Sequence, residues 1–194
     1  MNKKIGWMVG LLALVLLIGG ASVLYNLMSE DTAPPPVAAP PTETETTEEE
    51  TVEPVAAPDF TVFNSQGEPV QLSDFIGTPV ILNFWASWCS PCKSEMPDFD
   101  EAYAQYGDQI HFVMVNCTDG GRETVDTAKA FIQDAGYSFP VYFDVNFEAS
   151  YTYGASSIPL TYFIDAEGNL VTYARGALSA DMLRQGIGYI YTEE

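Results

Sequence analysis

Two thiols stand at i and i+3 in Trp88-Cys89-Ser90-Pro91-Cys92, where an apolar run gives way to a helical pattern. A pair so spaced at a helix start can close and reopen a disulfide. At the helix N-terminus Cys89 faces backbone N–H groups with no intrahelical partner, and these, with the helix dipole, favour the thiolate that attacks a disulfide. Pro91 agrees with this placement, because proline is tolerated in the first helical turn. The same dyad could hold zinc, but such sites usually draw on a second Cys or His pair, and only Cys117 and His111 remain. Redox chemistry is therefore expected.

The elements around the dithiol assign its two sulfurs. Pro79 to Trp85 is a continuous apolar run, the pattern of a strand buried on both faces of a sheet, and its end delivers Cys89 to the sheet's carboxyl edge. After it, Cys92, Met96, Phe99, Tyr103 and Tyr106 recur at helical steps and form a stripe for the core. Cys92 is thus expected to be the inner thiol. Cys89 is expected to face solvent and attack the partner, and Cys92 to resolve the mixed disulfide. Pro97 lies in the same helix and is expected to kink it.

The remaining pattern alternates strands and helices. Phe60–Phe63 and Val70–Leu72 flank a turn and predict an N-terminal hairpin. Ile110–Val115 predicts a second buried strand, Val125–Ala135 an amphipathic helix stopped by Gly136, and Phe139–Phe143 another strand. A short helix is expected over Phe147–Tyr153. Thr161–Asp165 and Leu170–Ala174 surround a hairpin turn, and Ser179 caps a last helix carrying Leu183, Ile187 and Ile190.

Ahead of this domain, Ile5 to Met28 contains no charged side chain and is long enough to cross a bilayer. Lys3 and Lys4 precede it and the next basic residue is Lys93, an asymmetry that places residues 1–4 in the cytoplasm and the rest outside. A single-pass anchor over residues 5–28 is expected, with a signal peptide cleaved after Gly19-x-Ala21 as the rival. Residues 29–56, rich in Pro, Thr and Glu, read as a disordered stalk of about 3.1 Å per residue where extended. From Asp59 onward nineteen acidic side chains face five basic ones, which excludes nucleic acid as a partner.

Taken together, these motifs resemble the thioredoxin superfamily, and within it the TlpA/ResA-like membrane-anchored thiol-disulfide oxidoreductases. The marks are Ala57-Pro58-Asp59-Phe60, Asn83-Phe84-Trp85-Ala86-Ser87-Trp88-Cys89-Ser90-Pro91-Cys92, Glu95-Met96-Pro97 and Ile158-Pro159-Leu160-Thr161-Tyr162-Phe163-Ile164-Asp165 followed by Gly168. The resemblance implies an α/β fold over residues 57–194, a three-layer sandwich with a central mixed sheet, an N-terminal hairpin and a central αβ insertion formed by the helix 122–135 and the strand after it. It implies a cis peptide before Pro159, leaving the backbone of Ile158 free to pair with an extended partner segment. Trp88, Ser90 and Pro91 join Ile158 and Pro159 as the expected substrate-binding residues.

Where cytoplasmic thioredoxins carry a buried acid, this chain has Asn83, as is usual in the TlpA/ResA-like branch. Another base is then needed. Glu95, one helical turn beyond Cys92, borders the core, and partial burial would raise its pKa and suit it to move a proton to or from Cys92. An exposed helix glutamate is the bland alternative.

The expectation is a membrane-tethered disulfide reductase, monomeric, with no cofactor. By resemblance its substrates are exported proteins such as apocytochrome c or a methionine sulfoxide reductase, and a membrane electron donor of the CcdA kind recharges it. A disulfide-forming oxidase on the same fold and a copper metallochaperone using Cys89 and Cys92 are the alternatives. Cys117 is expected to be a small core side chain, His111 a surface residue, and Trp85 a neighbour of the dithiol.

Overall fold

The computed structural model describes residues 54–192. The expected anchor at residues 5–28 and all but the last few residues of the stalk lie outside the described residues. Among those described, no helix is long and apolar enough to cross a membrane.

Seven strands form one sheet in the order β2-β1-β5-β4-β3-β6-β7. In chain order they are β1 (Thr61–Phe63), β2 (Pro69–Gln71), β3 (Val80–Trp85), β4 (His111–Asn116), β5 (Val141–Phe143), β6 (Leu160–Ile164) and β7 (Leu170–Arg175). The helices are α1 (Ser90–Tyr106), α2 (Val125–Ala135), α3 (Glu148–Thr152) and α4 (Ala180–Ile190), with a 3-10 turn at Leu72–Phe75. β3, β4 and β5 run parallel, whereas β6 is antiparallel to β3, β7 to β6, and β1 to both β2 and β5. The mixed sheet and the N-terminal hairpin are those the resemblance implies.

β3 is buried along its whole length because a paired strand lies on each side and a packed layer on each face. Its alternation divides the core in two. Ile81 and Trp85 join Met114, Phe163, Cys92, Met96, Phe99, Ala128, Leu183 and Ile187 under α1, α2 and α4. Val80, Leu82 and Phe84 join Val113, Val115, Leu160, Leu72 and Ala149 on the opposite face, beneath α3 and the 3-10 turn. The result is the three-layer arrangement.

Local chemistry sets the ends of the elements. Thr124 caps α2 by accepting from the Thr127 N–H, and Gly136 stops it at φ 74°, a left-handed conformation that glycine adopts without a Cβ penalty. The helix thus begins at Val125, not at Arg122. β5 begins at Val141, later than the expected Phe139, since Pro140 has no N–H to give a ladder. Pro97 sits inside α1 without ending it. Ser179 caps α4 through the Met182 N–H, as expected.

This topology gathers several loops at one edge. The carboxyl ends of β3, β4 and β5 lead into Cys89, Cys117 and Asp144. β6 enters from the same edge, since Leu160 pairs with Phe84 and places Pro159 beside the end of β3.

Candidate active site

Cys89 and Cys92 are joined in a disulfide, with Cα atoms 5.2 Å apart. Cys89 is the N-cap of α1 at φ −80° and ψ 107°, and its Sγ accepts the Cys92 N–H at 3.2 Å. One of the orphan donors of the helix start therefore points at this sulfur. Ser90 and Pro91 form the exposed first turn over it. The N-cap geometry can stabilise a thiolate at Cys89 once the bridge opens, and not at Cys92, which lies inside the first turn.

The expected division into outer and inner sulfurs needs one correction. Cys89 is 3% exposed and Cys92 0%, so in the oxidised state the outer sulfur is nearly enclosed instead of facing solvent. Trp85 shares its core cluster and Ile158 packs against that cluster, while the Ile158 carbonyl oxygen is 3.8 Å from Cys89 Sγ. A disulfide sulfur has no proton, so this is a contact that becomes an S–H···O bond only in the thiol form. The Ile158–Pro159 peptide is cis, as the resemblance implies, with Ile158 half-buried and Pro159 buried beside the dithiol. Trp88 remains 40% exposed.

Beneath the dithiol lies a buried polar cluster. Glu95 is 1% exposed, on the same core-facing side of α1 as Cys92 and Met96. Asn83 Nδ2 donates to Glu95 Oε1 at 2.9 Å and to Thr161 Oγ1 at 2.9 Å, and the Leu178 N–H donates to Glu95 Oε2 at 2.8 Å. Burial pushes the Glu95 carboxyl up from its ordinary 4.5 to about 7, against the lowering effect of its bonds to Leu178 and Asn83. The exposed-glutamate alternative is excluded. Asn83 Oδ1 and Trp85 Nε1 are buried without a partner among the described residues.

Cys117, at the end of β4, faces the opposite core. Ser150 Oγ donates to its sulfur at 3.6 Å, and burial pushes the thiol up to about 11. It packs against the core as the small side chain expected. His111 is exposed at the start of β4, its ring 5.1 Å from that of Phe75. Among the described residues no three metal-ligating side chains cluster.

Two site residues carry no sequence signal. Glu123, in the loop before α2, is fully buried and accepts from Ser87, just ahead of the dithiol; Arg122 places its guanidinium carbon 3.9 Å from the centroid of the Trp88 ring. A single acid among 27 in the chain, outside any periodic element, looks like surface charge.

This geometry is matched by proteins of known kind. The model of the AhpC/TSA family matches residues 55–173. The thiol-disulfide oxidoreductase ResA of Oceanobacillus iheyensis is 40% identical over 139 residues, 70% of this chain and 69% of that protein. ResA of Bacillus subtilis is 32% identical over 135 residues, 69% of this chain and 73% of that protein. The crystal structure of StoA from Bacillus subtilis superposes with a TM-score of 0.58 at 27% identity, covering 69% of this chain and 98% of that one. With a redox-competent dithiol on a thioredoxin-like fold, the chain belongs to the AhpC/TSA family, and within it to the ResA-like thiol-disulfide oxidoreductases.

Proposed function

We propose that this protein is a disulfide reductase of exported proteins, held at the outer face of the cell membrane by residues 5–28. The Cys89 thiolate attacks a substrate disulfide, forming a mixed disulfide and releasing the first substrate thiolate. Cys92 loses its proton and attacks Cys89 Sγ, releasing the second. The substrate gains two electrons and the Cys89–Cys92 bridge closes. Glu95 takes the proton from Cys92 and passes it on to the departing thiolate. Trp88, Ser90, Pro91 and the backbone of Ile158 beside Pro159 receive an extended segment of the partner. Apocytochrome c and a methionine sulfoxide reductase fit as substrates, and a membrane donor of the CcdA kind as the source of electrons.

Glu95 carries the direction of this reading. Strong oxidants of this chemistry owe their high potential to a stabilised reduced form, rich in thiolate. A fully buried carboxyl that ionises near pH 7 one turn beyond Cys92 disfavours further negative charge in the same enclosed space. The reduced form is then less stabilised, which favours giving electrons away.

Equilibration of the full-length protein with glutathione tests it. The expected reduction potential lies at or below that of the cytoplasmic glutathione pool, about −220 mV, and a value near −120 mV would establish an oxidase. Substrates are named by mixed disulfides trapped on a Cys92→Ala variant in intact cells.

A further inference from the structure

The loop between β4 and α2 grips the turn that leads into the dithiol. Cys89 N–H donates to Ala86 O at 3.1 Å, closing a β-turn with Ser87 and Trp88 at its centre. Glu123 takes hold of Ser87 from the buried side. Its Oε1 accepts the Ser87 N–H at 2.8 Å and Asn116 Nδ2 at 2.6 Å, and its Oε2 accepts Ser87 Oγ at 2.6 Å. Asn116 is fixed in turn, since Thr118 Oγ1 donates to its Oδ1 at 2.8 Å. Arg122 takes hold of Trp88 from the solvent side, its guanidinium carbon 3.9 Å from the ring centroid. Two consecutive residues of the insertion thus hold the two consecutive residues that precede Cys89.

The hold is itself built. Asp119 Oδ1 accepts the N–H groups of Gly121 at 2.7 Å and Glu123 at 2.8 Å, and the Gly120 N–H donates to Glu123 O at 2.9 Å, so the loop turns Glu123 inward. Burying a carboxyl costs several kcal/mol unless donors surround it. Three donors do so here, two from one residue of the active-site turn. An apolar side chain would fill the same space without aiming at Ser87.

We propose that Glu123 is a positioning residue for the attacking sulfur: through Ser87 it keeps Cys89 at the N-cap of α1, where the Cys92 N–H meets its Sγ. While the disulfide is closed, the S–S bond fixes Cys89. Once it opens, that covalent restraint is gone and the Glu123–Ser87 bonds hold the turn. The insertion is then part of the redox centre. The inference rests on thiol-disulfide exchange at Cys89 and is independent of its direction.

The test follows alkylation of Cys89 by iodoacetamide against pH in reduced full-length protein, read by peptide mass spectrometry. Two variants are compared, Ser87→Ala and Glu123→Gln. Ser87→Ala removes one bond and no charge; Glu123→Gln keeps the shape and the oxygen that accepts the Ser87 N–H and Asn116 Nδ2, and loses the charge and the acceptor of Ser87 Oγ. Ser87→Ala is expected to move the midpoint upward and to slow alkylation at pH 7 by about tenfold, the factor that a bond worth about 1.4 kcal/mol supplies, and Glu123→Gln to move it the same way because the charged acceptor of Ser87 Oγ is lost there too. A midpoint that falls in Glu123→Gln and stays put in Ser87→Ala would show that Glu123 acts through its charge alone, and overturns the proposal. Unchanged midpoints in both overturn it too. Should Glu123→Gln fail to fold, Ser87→Ala decides by itself, with its thermal midpoint separating loss of position from loss of fold.

Discussion

Burial holds the Glu95 carboxyl near pH 7 instead of its ordinary 4.5, so the folded protein keeps a proton in a range where the unfolded chain has released it. The stability this contributes is present in full below pH 4.5 and is lost as pH climbs through 7. The span is up to roughly 3 kcal/mol. Glu95→Gln stays neutral throughout, so urea midpoints of the oxidised protein should show the variant gaining on the parent between pH 5 and 8. A constant difference across that range would mean Glu95 ionises normally. Cys117 gives a second prediction at this scale. With its thiol pushed up to about 11, it should resist iodoacetamide at pH 8 while free cysteine is fully labelled, and Cys117→Ser should leave exchange rates unchanged. Cys89, Cys92 and Glu95 were legible because helical spacing binds them to one another and to the stripe of Met96 and Phe99. Glu123 was not, since its partners Ser87 and Asn116 come from two other segments and no period links the three.

At the scale of elements, α4 makes an instructive contact. A Cβ at Gly186 would sit 2.2 Å from Cζ of Phe163, so the helix can lie this close to β6 only with glycine there. Helix propensity alone says that Gly→Ala stabilises by up to about 1 kcal/mol. Packing reverses the sign at this position: Gly186→Ala should cost about 1–3 kcal/mol as the Phe163 ring is forced aside. Gly188, two residues on, has nothing within 4 Å, and Gly188→Ala should follow propensity and stabilise. Thermal melts of the two variants moving in opposite directions would confirm the contact. Alternation and caps made the strands, α2 and α4 readable, with ends shifted by a few residues where Pro140 withholds a donor and Thr124 supplies a cap. Which glycine touches a neighbouring strand is a tertiary fact. Nothing in Gly186-Ile187-Gly188 distinguishes the two.

Across the whole molecule, negative charge dominates and little opposes it locally. From Asp59 onward nineteen acids face five bases, and the one ion pair among the described residues, Arg184 with Asp181, is exposed and contributes little. Self-repulsion then weakens the compact state and is screened by salt with a Debye length of about 8 Å at physiological ionic strength. The melting temperature should rise between low salt and physiological salt; a fall would mean that attractive pairs dominate instead. The sheet settles another matter at this scale. Its two faces divide the three cysteines, the dithiol under α1 and Cys117 beneath α3. Cys89 and Cys92 are neighbours in one helical turn, whereas Cys117 packs into the other core, so the native fold favours the bridge within the dyad over either bridge to Cys117. Cycling through open and closed states is thereby steered away from self-scrambling, a hazard that grows when the chain is nascent or unfolded.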